Sequence, residues 1–200
     1  MKPLFKIGIV LAQAAIILVA FKAGGVIKAR QMSAESWANT SQIPPGVALN
    51  PVPLKIGDDN TAIVLRGSYF VNALQHCNYC HTCPPYATGS DPVTPGVLPA
   101  VNAVNYMAGG RRFGPSNDTN APISANLTPD LKTGLPGGMT FEQFRLVLRT
   151  GRAHKTGRNL QVMRWPMFGD LTDTDLMAIY AYLKAIPHAE PGRDPHNPQG

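Results

Sequence analysis

Between His81 and Met139 the chain is rich in proline, glycine, asparagine and threonine and shows almost no hydrophobic period, while helical patterns stand on either side of it. A stretch this long without secondary structure of its own is uncommon inside a folded domain. Ordering it costs backbone entropy that some packed surface must offset. A chain of this kind cannot be built from helix packed on helix alone, and a large, flat, apolar group would supply the missing surface.

The flanking helices are legible. From Asp58 to His76, Ile63, Gly67, Phe70 and Leu74 recur at spacings of four, three and four, which is one helix face. Gly67 lowers helix propensity there, and a close crossing by another helix accounts for keeping it. Thr140-Phe-Glu-Gln143 is a capping-box pattern that opens a helix of about ten residues with Phe141, Phe144 and Leu148 on one side and Gly151 as its stop. Thr172 caps a last helix: Asp173 and Asp175 suit its positive end, Leu176, Ile179, Tyr180 and Leu183 form its stripe, and Pro187 ends it. The fold class expected is all-α, with long loops between the helices. The folded domain is expected over 58–188 and a loose proline-rich tail over 189–200.

The first helix leads into Cys77-Asn-Tyr-Cys80-His81, a C-x-x-C-H pattern. Two thiols three residues apart reach the two vinyl groups on one haem edge, and the adjacent imidazole then lies under the iron as an axial ligand. One haem c, with its iron, is the cofactor this spacing implies. A zinc site drawn from Cys77, Cys80, His81 and Cys83 competes, but four ligands within seven residues are cramped. A thioredoxin-like redox pair would need a βαβ setting that this pattern of helices lacks. Cys83 is open to two readings, a small buried apolar residue or an exposed thiol.

Three cysteines make no disulfide framework. Lys2 and Lys6 followed by an apolar run from Ile7 to Phe21, broken only by Gln13, have the plan of an export signal. Residues 1–30 read as a signal peptide, with Ala23-Gly24-Gly25 as a fair cleavage site, or as a membrane anchor extended past Lys22. Residues 31–57 hold Pro44, Pro45, Pro51 and Pro53 and read as an extended lead. The expected compartment is the periplasmic side of a bacterial inner membrane, with the domain anchored or soluble after cleavage.

The net charge of +6 is concentrated in the leader, where Lys2, Lys6, Lys22, Lys28 and Arg30 precede the first acid, Glu35. Thirteen basic and twelve acidic residues remain in 31–200. Nucleic acid is therefore not an expected partner. Arg145, Arg149, Arg152, Lys155, Arg158 and Arg164 face only Glu142 over their own stretch, either as a solvated edge or as a docking surface.

Cys77-Asn-Tyr-Cys-His-Thr82, Asn126-Leu-Thr-Pro-Asp130, Thr133-Gly134, Arg149-Thr-Gly151, Met163-Arg-Trp-Pro166 and the helix Leu171 to Leu183 together resemble a class I monohaem cytochrome c domain. Such domains occur alone or in cytochrome subunits of membrane-linked dehydrogenases. The resemblance covers roughly residues 58–188 and implies a small all-α fold whose first and last helices cross beside the haem. It also implies one-electron transfer with redox protein partners: a dehydrogenase, an oxidase or a cytochrome complex. The family's second axial ligand falls on Met163, which would join His81 on the iron. This chain departs from the usual Met-Pro-aromatic order by placing Arg164 after the methionine, so Met167, and then His154 or an open site, remain alternatives. Trp165 and Arg112, with Arg111 and Tyr106, are candidates to hydrogen-bond the haem propionates. Met107, Met139 and Met177 read as core filler. His76 reads as a helix end, and His188 and His196 as solvated. The competing functional class is a peroxidase-type haem enzyme with a labile sixth ligand, for which no distal His-Arg pair is evident. A gas sensor would need an output element for which the chain has no room.

Overall fold

A computed structural model describes residues 49–56, 61–115 and 117–193 of the chain. The expected leader, most of the proline-rich lead, Asp58 and residues 194–200 lie outside them. The described residues are helical and contain isolated β-bridges but no named strand.

Helix α1 (Thr61–Tyr69) runs into a π-helical turn, Phe70–Leu74, closed by the Gln75 amide donating to the Phe70 carbonyl at 2.8 Å. The buried positions are Val64, Gly67, Ser68, Phe70 and Val71, whereas Ile63 and Leu74 are 40% and 48% exposed. The stripe expected through Ile63 and Leu74 is thus displaced. Val64, Gly67, Ser68 and Val71 hold the i, i+3, i+4, i+7 face, and the wider π turn shifts the phase after Phe70.

Gly67 sits where α1 crosses the last helix, α5 (Asp173–Ala185). A Cβ on it would collide with the Ala178 carbonyl oxygen and come within 2.7 Å of Tyr182 Cβ. The crossing expected from this glycine is present. Next to it lies a closed polar network. Asn72 Nδ2 donates to the Ser68 carbonyl and to Tyr182 Oη at 3.0 and 3.2 Å, and Tyr106 Oη donates to Asn72 Oδ1 at 2.6 Å. The two tyrosine hydroxyls are 2.9 Å apart, so each buried hydroxyl has a partner, as burial requires. At the other end of the crossing the Arg66 guanidinium meets Asp175 at 2.7 Å, while Thr172 donates its hydroxyl to the second oxygen of the same carboxylate.

Helix α3 (Phe141–Thr150) has the bounds and cap expected of it: Thr140 Oγ1 accepts from the Gln143 amide, and Gln143 Oε1 accepts from the Thr140 amide. Gly151 follows at φ 65°, the left-handed C-cap. Phe141 and Phe144 lie with ring centroids 5.6 Å from Tyr180, packing α3 on α5. Two five-residue helices were not foreseen as elements, α2 (Cys77–His81) and α4 (Trp165–Gly169).

The long segment between α2 and α3 is packed in parts, most deeply at Tyr106–Gly109. Antiparallel bridges pair Tyr86 with Val101, Arg112 with Ile123 and Pro129 with Pro136, and Met107 and Ala108 are fully buried. The chain after α5 lies against this segment. Asn126 and Asn105 donate side-chain amides to the carbonyls of Ala189 and Glu190, both at 2.9 Å, and Gly192 lies against the Cys83 carbonyl. Residues 189–192, within the stretch read as loose, are therefore tied down. Cys83 is 1% exposed, so of its two readings the buried one holds.

Candidate haem site

His76 has φ 50°, a left-handed turn that separates the π turn from α2 and sets α2 off in a new direction. Cys77, Cys80 and His81 then line one cavity of about 1230 Å3. Burial pushes the Cys77 thiol up to about 12. His81 Nδ1 lies 2.8 Å from the Ala125 carbonyl, which can only accept, so Nδ1 carries the proton and Nε2 keeps its lone pair. Burial also lowers the His81 pKa, keeping the ring neutral as a metal ligand must be. The Gly109 amide donates to the His81 carbonyl, and Thr82 Oγ1 accepts from the Met107 amide, fixing α2 to the long segment.

Met163 is part-buried, packs against the core and lines the same cavity. It is presented by the loop between α3 and α4, which the Arg152–Asn159 bridge pinches. Met167, in α4, also lines the cavity and is 57% exposed; His154 lines it too, from an exposed position. Two side chains, Trp165 and Arg149, hold α4, and with it the end of the loop, to α3. The Trp165 ring lies over Gly151, leaving no room for a Cβ, and the Arg149 guanidinium donates to the Gly169 carbonyl and to Asp173, the latter at 2.7 Å. Arg164, the residue that breaks the usual order after the methionine, is the exposed N-cap of α4 and stands at the rim of the cavity.

Val71, Met107, Leu127, Met139, Ile179 and Leu183 give the cavity apolar walls. Its volume exceeds the range of about 300–1,000 Å3 usual for small-molecule sites. Two thiols, a neutral imidazole with a free Nε2 and a thioether in one apolar chamber fit a covalently attached haem. Among the described residues no group of three or more His, Cys, Asp or Glu gathers to hold a metal ion directly.

Other residues singled out from the sequence lie elsewhere. Trp165 and Arg112 are not among the cavity-lining residues; Arg112 donates to the Asp118 carbonyl at 2.8 Å. Tyr106 is used up in the network at the α1–α5 crossing. Arg111 stacks 4.3 Å from the Tyr79 ring and donates to the Tyr79 carbonyl. Of the six clustered cations, Arg145 and Arg149 are paired with Glu142 and Asp173, and Lys155 and Arg164 stand at the cavity wall. His188, read as solvated, in fact lines the cavity and is hydrogen-bonded. No period or spacing marks it, because it is placed by the path of the chain after α5.

A C-x-x-C-H helix opening into an apolar chamber, under crossed first and last helices, defines a c-type cytochrome domain. No protein-family model matches the chain. Among curated proteins it is 31% identical over 153 residues to the alcohol dehydrogenase (quinone) cytochrome c subunit of Gluconacetobacter polyoxogenes, covering 75% of this chain and 27% of that one. It is 28% identical over 143 residues to the gluconate 2-dehydrogenase cytochrome c subunit of Pantoea cypripedii, with 70% and 27% covered. The Gluconobacter oxydans alcohol dehydrogenase (quinone) cytochrome c subunit is 30% identical over 130 residues, 63% of this chain and 22% of the relative. The chain thus carries a cytochrome c domain similar to those of dehydrogenase cytochrome subunits, and spans about a quarter of their length.

Proposed function

We propose that the domain holds one haem c through Cys77 and Cys80, with His81 and Met163 as axial ligands, and passes single electrons between a dehydrogenase and a further redox protein. The observation that carries this reading is the shared cavity: the motif and Met163, far apart in sequence, line the same apolar chamber. When bound, the haem supplies the Fe(II)/Fe(III) couple. The chain's own part is to orient and to exclude. Ala125 fixes the His81 tautomer, the apolar walls keep out water, and a thioether favours the ferrous state relative to a second imidazole. Arg149 and Trp165 hold α4, and with it the end of the Met163 loop, on α3.

The test is the optical spectrum of the oxidised, haem-loaded protein. A sulfur-to-iron charge-transfer band is expected in wild type and in Met167→Ala, and is expected to be lost in Met163→Ala. A high-spin spectrum in wild type, with ready carbon monoxide binding on reduction, would transfer the protein to the peroxidase-type class.

The reading includes export to the periplasmic side of an inner membrane, with residues 1–30 as signal or anchor. Among the described residues no helix is long and apolar enough to cross a membrane, so an attachment would rest on that segment. Retention of the haem protein on membranes washed in high salt is the outcome expected of an anchor, and its release would exclude one.

A further inference from the structure

Among the described residues His188 is the one cavity-lining histidine whose two ring nitrogens both face oxygen acceptors. Nδ1 lies 2.8 Å from the Pro129 carbonyl, with Thr128 Oγ1 at 3.4 Å, and Nε2 lies 2.8 Å from Glu190 Oε1. A neutral imidazole has a single N–H and would turn a lone pair towards one of these oxygens; the imidazolium satisfies both. Its side chain is only 25% exposed. The charged groups around it are Glu190 on its own strap and Asp130 across the loop, both acidic. The remaining titratable groups of the cavity wall, besides Cys77, Cys80 and His81, are His76, Tyr79, Tyr86, His154, Lys155 and Arg164.

We propose that His188 is the proton-linked, potential-setting residue of this cytochrome domain: an imidazolium in the cavity wall that favours the reduced centre and gives up a fraction of its proton to solvent when the centre is oxidised. The proposal rests on the haem reading above. Reduction adds one electron, delivered by the redox partner, and lowers the charge of the centre by one. The imidazolium in the wall is then less repelled and binds its proton more tightly, so a fraction of one proton is taken up from water at the ring. Oxidation returns the electron to the acceptor and the same fraction of a proton to water. The hydrogen bonds to Glu190 and Pro129 raise the pKa of His188 above the ordinary 6.5, placing the linkage on the alkaline side of a free histidine's titration. The sign follows: the reduction potential is higher on the acid side, where His188 is charged, and falls as pH rises through its titration.

The experiment is potentiometric titration of the haem-loaded full chain from about pH 5 to about pH 9, with NMR titration of the His188 ring in each oxidation state. Expected are a potential that falls with pH through a titration above 6.5 in wild type and in His154→Gln, a flat potential over that window in His188→Gln, and a His188 proton affinity at least about threefold higher in the ferrous protein. Glu190→Gln should move the titration to lower pH. A pH dependence that survives in His188→Gln or disappears in His154→Gln, or a His188 affinity equal in the two states, overturns the proposal. A protein that binds haem and cycles reversibly with a pH-independent potential sinks this inference alone. Failure to hold a redox-active haem sinks the reading beneath it.

Discussion

Gly67 shows how much one absent side chain decides. The Ala178 carbonyl of α5 occupies the space a methyl group would need, and backbone cannot be pushed aside like the end of a flexible side chain. Gly67→Ala should therefore raise the helix propensity of α1 and still destabilise the protein, by about 1–3 kcal/mol. The check is a lower denaturant midpoint at unchanged slope. This position was readable in the sequence because a glycine on an apolar helix face calls for a crossing partner. His188 was not. Its neighbours are unremarkable in type, and only the folded path brings Pro129, Glu190 and the cavity to it.

At the scale of elements, the strength of the local signal decided what could be foreseen. In α3 the cap, the apolar side and the terminal glycine agree, and its bounds came out as expected. Replacing Thr140 with alanine removes the acceptor for the Gln143 amide and should cost about 1 kcal/mol, read as a lower midpoint of thermal or denaturant unfolding with the haem spectrum unchanged. The π turn left no comparable trace. It differs from continued α-helix by one residue of phase, so a pattern that assumes 3.6 residues per turn carried the buried face on to Leu74; Ile63, ahead of the turn, was chosen over its buried neighbour Val64 because both are apolar. Helices α2 and α4, at five residues, are shorter than the window over which a period can be recognised.

For the whole molecule, the aperiodic stretch was the informative part. Its backbone is held by isolated bridges and side-chain hydrogen bonds, and many of its apolar side chains look into the chamber rather than into a neighbouring helix. On the haem reading proposed above, a chain unable to attach the group would leave these walls without the surface they need to pack against. The Cys77→Ala/Cys80→Ala chain is therefore expected to lose its cooperative unfolding transition and part of its far-UV helical signal; a chain that keeps both would show that the helices alone sustain the fold. The helical class and the C-x-x-C-H motif were evident before any coordinates, because spacing and composition carry them. The chamber's remaining wall was hidden, since it comes from loop and tail residues related only in three dimensions.

The strap after α5 also carries a consequence for assembly. Synthesis runs from the first residue to the last, so Cys77, Cys80 and His81 exist long before Ala189, Glu190 and Gly192 can close over Cys83 and the long segment. Until that strap docks, the long segment and the backbone at Cys83 lack one side. The strap acts like a latch: Ala189, Glu190 and Gly192 fasten the chain after α5 to the long segment and to the Cys83 carbonyl, beside the one cysteine that is out of reach of solvent.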